Sequence, residues 1–366
     1  MLLEINNWRC FENQNFLLPD SSFCISDQNG IGKTSILSAI YTLYTNQGWY
    51  EQNLKACLRH GQNYFGLKNE YISFNSKLEP TGRLKSKQEF LTEDSTKPLI
   101  LTYSPIDNQL LSLTRSKKLN FIDQILGQLL PSYNTNLKVL NKLISHKQAL
   151  IKSVVEDNQI LDKTLLHTTN QSIWNFSWYF WLERAKFLDF LNQNLPNVES
   201  WLNLNFIGFS INYLTTTENT NQIKTNFDDI YKLYQQKDEV NLEQYFQKIW
   251  QRELAAMRCL WGAQRDDFEI YLQDQEASEV LSRGQMRLLV LWLKYLGYNY
   301  ALEKLELKLS VWWLLDDAFN ELDDIREEIL IKNILSKIDF YLITSTRKSE
   351  ICDSFSLDDL KKFDRN

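Results

Sequence analysis

The feature that most limits what this 366-residue chain can fold into is a pair of segments lying nearly its whole length apart. Near the start, Phe23-Cys24-Ile25 runs through Asp27 into Gln28-Asn29-Gly30-Ile31-Gly32-Lys33-Thr34-Ser35. Near the end, Leu281-Ser282-Arg283-Gly284-Gln285 precedes Val311-Trp312-Trp313-Leu314-Leu315-Asp316-Asp317. The first segment reads as an apolar strand, a glycine loop and a helix, because Ile36, Leu37, Ile40 and Leu43 recur at helical spacing. The last reads as a strand buried on both faces that ends in two carboxylates. Such a loop turns successive backbone amides toward phosphate oxygens, with Gly30 and Gly32 leaving room for the approach, and presents them at a helix N-terminus. Lys33 would reach the β and γ phosphates of ATP, and the Thr34 hydroxyl would complete a Mg2+ shell. Open α/β sheets bind ligands at their strand ends, where Asp316 would hold Mg2+ and Asp317 would polarise the attacking water. One site assembled from both ends of the chain is the economical explanation.

Each part also has a plainer reading. A glycine-containing turn between strand and helix can match the loop pattern by accident, and two adjacent acids also suit a solvated turn. The strand expected at Phe340-Tyr341-Leu342-Ile343 delivers Thr344 and Thr346 to the same edge, where either would meet the γ-phosphate or its water, or simply end a strand. Ser282 occupies an N-cap-like place on a helix running through Leu288, Leu289 and Trp292, so it suits either a plain cap or a second phosphate contact. The loop departs from its usual pattern at Asp27, six positions before the lysine, where glycine is expected. Asp27 tolerates a left-handed backbone but brings an anion toward the polyphosphate, which weakens the expected affinity.

Composition bounds the alternatives. With 43% hydrophobic and 23% charged residues the chain can bury a large core. Its formal charge of −6 supplies no global attraction to nucleic acid, so any such contact must be a local basic patch. Arg115, Lys117 and Lys118 form one cluster, and Arg83, Lys85 and Lys87 another; solvated loops are the competing reading of both. Five cysteines without close pairing and only three histidines argue for a reduced cytoplasmic compartment and against a zinc framework. The run from Trp174 to Trp181 is too short to span a bilayer, so no membrane partner is expected. It reads first as a core stripe.

The expected organisation is an α/β nucleotide-binding lobe split by a helical insert. Residues 1–103 form the N-terminal part, 104–250 the insert and 251–366 the C-terminal part. Short strands at Met1–Ile5, Phe16–Leu18, Phe23–Ile25 and Leu99–Leu101 precede a boundary at Pro105. Within the insert, Leu137, Leu140, Ile144, Ile151 and Val155 keep one helical face, and Trp174, Trp178, Trp181, Ala185 and Leu188 keep another. Strand character returns at Phe268–Leu272.

Together these residues resemble the RecF family of bacterial recombination proteins, relatives of the SMC-type ATPase heads, over nearly the whole chain. Asn7-Trp8-Arg9 resembles the family's Asn-Phe-Arg, Ser104-Pro105-Ile106-Asp107 its Ser-Pro-Glu-Asp, and Phe121-Ile122-Asp123 its Phe-Leu-Asp. Gly262-Ala263-Gln264-Arg265-Asp266-Asp267 resembles its Gly-Pro-His-Arg-Asp-Asp, and the Ser-Arg-Gly-Gln, Leu-Leu-Asp-Asp and Glu321-Leu322-Asp323 stretches match closely. The chain departs from the family at Asp27, Ala263, Gln264 and Asn320. The resemblance implies an ABC-type, SMC-like P-loop ATPase head with an inserted, mainly helical domain. It also implies that Arg9 and Asp323 join the nucleotide contacts, and that the Ser282–Gln285 segment of one subunit caps the nucleotide seated on another, making an ATP-dependent homodimer. Its further implications are binding to duplex DNA and to junctions of single and double strands, cooperation with RecR and RecO type mediator proteins, slow hydrolysis, and association with the bacterial nucleoid. A scaffold whose turnover Asp27 has weakened is the alternative. A transporter subunit is disfavoured by the insert, and long SMC arms by its aromatic helices.

Overall fold

The computed structural model describes residues 1–49, 53–92, 98–112, 115–157, 160–195, 208–216, 223–237, 242–304, 310–319, 322, 324–347 and 352–361. Short strands with alternating burial open the chain. β1 (Leu2–Trp8) and β2 (Phe11–Leu17) pair antiparallel, and β1 also pairs with β4 (Tyr64–Lys68). β5 (Ile72–Leu78) and β6 (Leu84–Phe90) complete an antiparallel sheet of order β2-β1-β4-β5-β6. β6 is its edge, and the exposed Lys85 and Lys87 there are what keeps an edge strand from pairing with another chain. The second basic cluster of the sequence thus has a structural use.

The other sheet of this unit is wholly parallel. β3 (Phe23–Ser26), β7 (Leu99–Tyr103), β12 (Val311–Asp316), β13 (Phe340–Ser345) and β14 (Asp353–Phe355) lie in the order β14-β3-β13-β12-β7. The near-continuous burial of β12 and β13 is the mark of strands covered on both faces. Helix Lys33–Thr45 contacts strands of both sheets and buries nearly every residue. Ile36, Leu37, Ile40 and Leu43 share one core with Leu3, Ile5, Phe65, Phe74 and Leu342. A helix apolar on all sides needs such a double cover.

The second unit holds helices Arg115–Leu129, Tyr133–Val155, Lys163–Asn194, Phe227–Gln235 and Leu242–Ala256. It also holds the antiparallel sheet β11-β10-β8-β9, formed by β8 (Phe209–Thr215), β9 (Ile223–Thr225), β10 (Asp267–Leu272) and β11 (Gln275–Glu276). Trp174, Trp178 and Trp181 are buried and meet edge to face, with Trp178 and Trp181 centroids 4.9 Å apart. This stripe is core. By packing, the units are Met1–Asn108 with Val290–Asn366, and Gln109–Leu289. Residues 251–289, placed with the nucleotide-binding lobe by sequence, therefore group with the insert, because β10 pairs with β8 rather than with the parallel sheet. Among the described residues no helix is long and apolar enough to cross a membrane.

Candidate nucleotide-binding site

In the first unit, β3 ends at Ser26 and helix Lys33–Thr45 begins after Gly32, so residues 27–32 form the loop. Gly30 has φ 84° and Gly32 φ 112°. A side chain at either would sit in the left-handed region at about 1–2 kcal/mol. Gly32 is further confined: a Cβ there would lie 2.6 Å from Phe11 Cζ and 2.9 Å from Cys10 Sγ. The turn from β1 to β2 therefore buttresses the loop from beneath, and Trp8 fixes it by donating its indole N–H to the Ser35 carbonyl at 3.0 Å. Ser35 also accepts a thiol contact from Cys10 at 3.6 Å. Sequence reasoning missed Trp8, Cys10 and Phe11 as supports. Their only signal was proximity to Arg9, whose φ of 50° shapes that turn and whose amide donates to the Cys57 carbonyl.

The ammonium of Lys33 folds over its own loop, donating to the carbonyls of Asp27 and Gln28. Asp27, the departure from the usual pattern, is accommodated without strain. It is not among the residues of positive φ. Its carboxylate accepts the amide of Gln28 at 2.8 Å and that of Leu357 at 3.3 Å, and its own amide donates to the Ser345 carbonyl. The carboxylate is thus engaged with the first residue of the short helix Leu357–Lys361. Gln28, Asn29 and Gly30 are exposed, and Ile31 and Thr34 half-buried.

Parallel register brings the far end of the chain to this loop. Asp316 of β12 lies opposite Thr344 of β13, which in turn lies opposite Ile25 of β3. Asp316 accepts the Thr34 hydroxyl at 2.9 and 3.0 Å and the Thr344 hydroxyl at 2.5 Å. The Thr344 oxygen also receives the Asp317 amide at 3.1 Å. Thr344, expected to meet the γ-phosphate or its water, directs its single proton to Asp316 in this structure. Thr346 lies just past β13 and is exposed. Asp317 is half-buried with φ 49°, a conformation that turns it out of the strand and separates it from Asp316. Thr34 and Asp316 offer hard oxygen donors that suit Mg2+. Asp323 lies outside the described residues, as do Asn320 and Glu321.

Ser282 belongs to the second unit. Its amide donates to Gln285 Oε1 at 2.9 Å while the Gln285 amide donates to its hydroxyl at 3.3 Å, a reciprocal capping box on helix Arg283–Lys304. Ser282 and Arg283 are exposed and Gly284 is half-buried. Helix capping is thereby accounted for within the chain, and the exposed end is open to a further contact. In the first unit Lys294 of the same helix pairs with Asp107 at 3.0 Å, and Asp107 receives the Ser104 amide at 2.7 Å. The Ser-Pro-x-Asp stretch is a turn lock.

The remaining motifs meet inside the second unit. Arg184, fully buried, forks onto Asp123 at 2.9 and 3.0 Å, reaches Asp266 at 2.7 Å, and donates to the Ala263 carbonyl. Asp266 also accepts from Trp181 at 3.0 Å and Tyr213 at 2.6 Å, yet burial lifts its carboxyl to about 6. Gln264 donates to the Trp261 carbonyl at 2.7 Å. Asp267 pairs with Lys118 at 3.0 Å and Arg115 at 3.9 Å. Lys118 is buried and also donates to the Phe268 carbonyl, which corrects its place among the DNA contacts: its charge is consumed within the unit. Lys117 is exposed.

No family model matches the chain. The DNA replication and repair protein RecF of Staphylococcus carnosus (strain TM300) is 24% identical over 359 residues, covering 94% of this chain and 92% of that protein. The protein of the same description from Chlorobaculum tepidum is 26% identical over 356 residues, covering 92% of this chain and 91% of that one. A solved structure of the recombination mediator protein RecF-ATPrS in the RecFOR pathway matches with a TM-score of 0.76 at 20% identity, covering 98% of this chain and 96% of that chain. A second, of RecF-ATP, matches with the same TM-score and identity over 96% and 92%.

Proposed function

This chain is RecF-like along nearly its whole length and has the fold of an ABC-type, SMC-like ATPase head, and on that premise we propose that it is an ATP-switched DNA-repair protein. The observation that carries the reading is the convergence of Lys33 and Thr34, Asp316 and Thr344 from three separate stretches at one loop. A turn matching by accident would not recruit a strand end 282 residues away.

ATP is the substrate of the loop. Lys33 exchanges its loop carbonyls for the terminal phosphates, an exchange of neutral for charged acceptors that favours the bound state. Mg2+, held by Thr34 and Asp316, would neutralise charge developing on the phosphates. Thr34 can serve because a hydroxyl both donates and accepts, so turning its proton away exposes a lone pair. Asp317 takes the proton of the attacking water at its carboxylate, while Thr344 fixes the backbone on which it sits. Gln28, Asn29, Gly30, Ile31, Gly32 and Ser35 supply the loop amides. Arg9 and Asp323 belong to the same nucleotide contacts by family likeness. Ser282, Arg283, Gly284 and Gln285 of one copy cap the phosphate held by another, so ATP pairs two chains head to head. Slow hydrolysis then resets the pair.

The paired form binds duplex DNA near single-strand gaps and works with RecR and RecO type partners in loading recombinase, in the bacterial cytoplasm. The test is anisotropy of a labelled gapped duplex with ATP, ADP or neither. Affinity is expected to rise at least tenfold with ATP alone; equal affinity in all three favours the scaffold reading.

A further inference from the structure

Asp27 stands where the loop pattern has glycine, and its polar groups reach four different parts of the first unit. Its amide donates to the carbonyl of Ser345, the last residue of β13, at 3.2 Å. Its carbonyl receives the ammonium of Lys33. Its carboxylate receives the amides of Gln28 at 2.8 Å and Leu357 at 3.3 Å. The anion expected to oppose the polyphosphate is thus engaged by two amides, one of them 330 residues away in the chain.

Register sets that distant partner in place. β14 runs parallel beside β3 with Phe355 opposite Ile25, so the chain leaves the sheet at Ser356 where β3 gives way to the loop. The helix Leu357–Lys361 then begins under its own cap: Asp359 accepts the amide and hydroxyl of Ser356 at 3.0 and 2.7 Å, and the Ser356 oxygen accepts the Asp359 amide at 3.2 Å. Leu357 and Leu360 are buried in the core that also holds Phe11, Ile25 and Ile36, which fixes where the Leu357 amide points. Yet β14 is an edge strand of three residues and the helix has five. Elements so short open locally with little free energy, and one added anchor matters to them.

We propose that Asp27 is a positioning residue whose carboxylate clasps residues 353–361 to the glycine loop, so that holding ATP and holding that segment are coupled. The role deepens the ATP-binding reading of the loop and rests on it. Asp27 presents the carbonyl on which Lys33 waits, and a loop fixed through Asp27 at β13 and at Leu357 is ordered before nucleotide arrives, which favours binding. Coupling of this kind is reciprocal: what the clasp adds to ATP affinity, ATP adds to the docking of the segment. Asp27 therefore aids binding, where an anion acting by repulsion alone would oppose it.

The test measures ATP affinity with Mg2+ for the parent, Asp27→Ala and Asp27→Asn, together with hydrogen exchange at the Leu357 amide with and without Mg2+ and ATP. Alanine fits the backbone, since Asp27 is not at positive φ, and removes charge and acceptor together; asparagine removes the charge and keeps an acceptor oxygen. Asp27→Ala is expected to bind ATP about fivefold more weakly, with Asp27→Asn near the parent. In the parent and in Asp27→Asn, ATP slows exchange at Leu357 about fivefold, a difference that Asp27→Ala abolishes. Affinity in Asp27→Ala equal to or above the parent's, or an equal loss in both variants, overturns the clasp and leaves the ATP-binding reading standing. Exchange at Leu357 that ATP leaves unaltered in an ATP-binding parent does the same, and that measurement needs no variant to fold. A parent that binds no ATP overturns that reading and the clasp together.

Discussion

The dipeptide Asp-Asp occurs once in each unit at a strand boundary, as Asp316-Asp317 at the end of β12 and as Asp266-Asp267 at the start of β10, and the two have opposite surroundings. Asp316 is met by the hydroxyls of Thr34 and Thr344. Asp266 is met by a guanidinium, an indole and a phenol, all buried with it. Hydroxyls can reverse their hydrogen bonds, whereas a guanidinium has only protons to offer. The first carboxylate is thus held only by groups that can turn away, whereas the second is anchored by a guanidinium and an indole that cannot. One pair meets the glycine loop and the end of β13, the other holds helix Lys163–Asn194 against the segment Gly262–Asp267. Identical residues acquire different work from the donors around them.

The largest effect that sharpens this contrast is on folding. Arg184→Met leaves Asp123 and Asp266 buried without their cation, and should lower stability by about 3–5 kcal/mol in urea unfolding. A loss below 1 kcal/mol would show that the network is dispensable. Next comes turnover: Asp317→Asn should slow ATP hydrolysis about a hundredfold, near the low end for loss of a general base, while leaving the ATP-bound pair intact on DNA. Hydrolysis at the parental rate removes Asp317 from the chemistry. Ser282→Arg should spare nucleotide binding by single chains but prevent pairing, with a capping loss of about 1 kcal/mol. Pairs that persist in that variant rule out capping between chains.

The smallest effect is in pH. Because burial raises the Asp266 carboxyl to about 6 from 3.8, the native state keeps a proton that the unfolded chain has released between those values. Stability from this group therefore falls as pH rises from about 4 to 6 and is level above. Asp266→Asn should flatten that share of the slope in unfolding measured at pH 4.5 and 7; an unchanged slope would mean that the carboxyl titrates normally.

The glycine loop, β3, β12 and β13 were legible in the sequence because their apolar runs end in polar residues that sheets place at one edge. The paired glycines and Lys33 were legible for the same local reason. β6 was not, since side chains such as Lys85, Lys87 and Gln88 carry no apolar alternation where one face meets solvent, and the short alternations Phe65/Leu67 of β4 and Ile72/Phe74 of β5 passed unread. β8 does alternate, burying Phe209, Ile211 and Tyr213, but lies amid helical segments and passed unread. The roles of Thr344 and Lys118 depended on partners 28 and 150 residues away, which no local pattern encodes. For Asp27 the decisive neighbour was Leu357, again a matter of packing.

Sedimentation velocity with Mg2+ and ATP, ADP or no nucleotide, run beside Lys33→Ala, tests the central claim most directly. The account predicts a shift to twice the mass with ATP alone, lost in the variant because no charge then faces the terminal phosphates. A parent that sediments identically in all three conditions, or a variant that pairs like the parent, would contradict it.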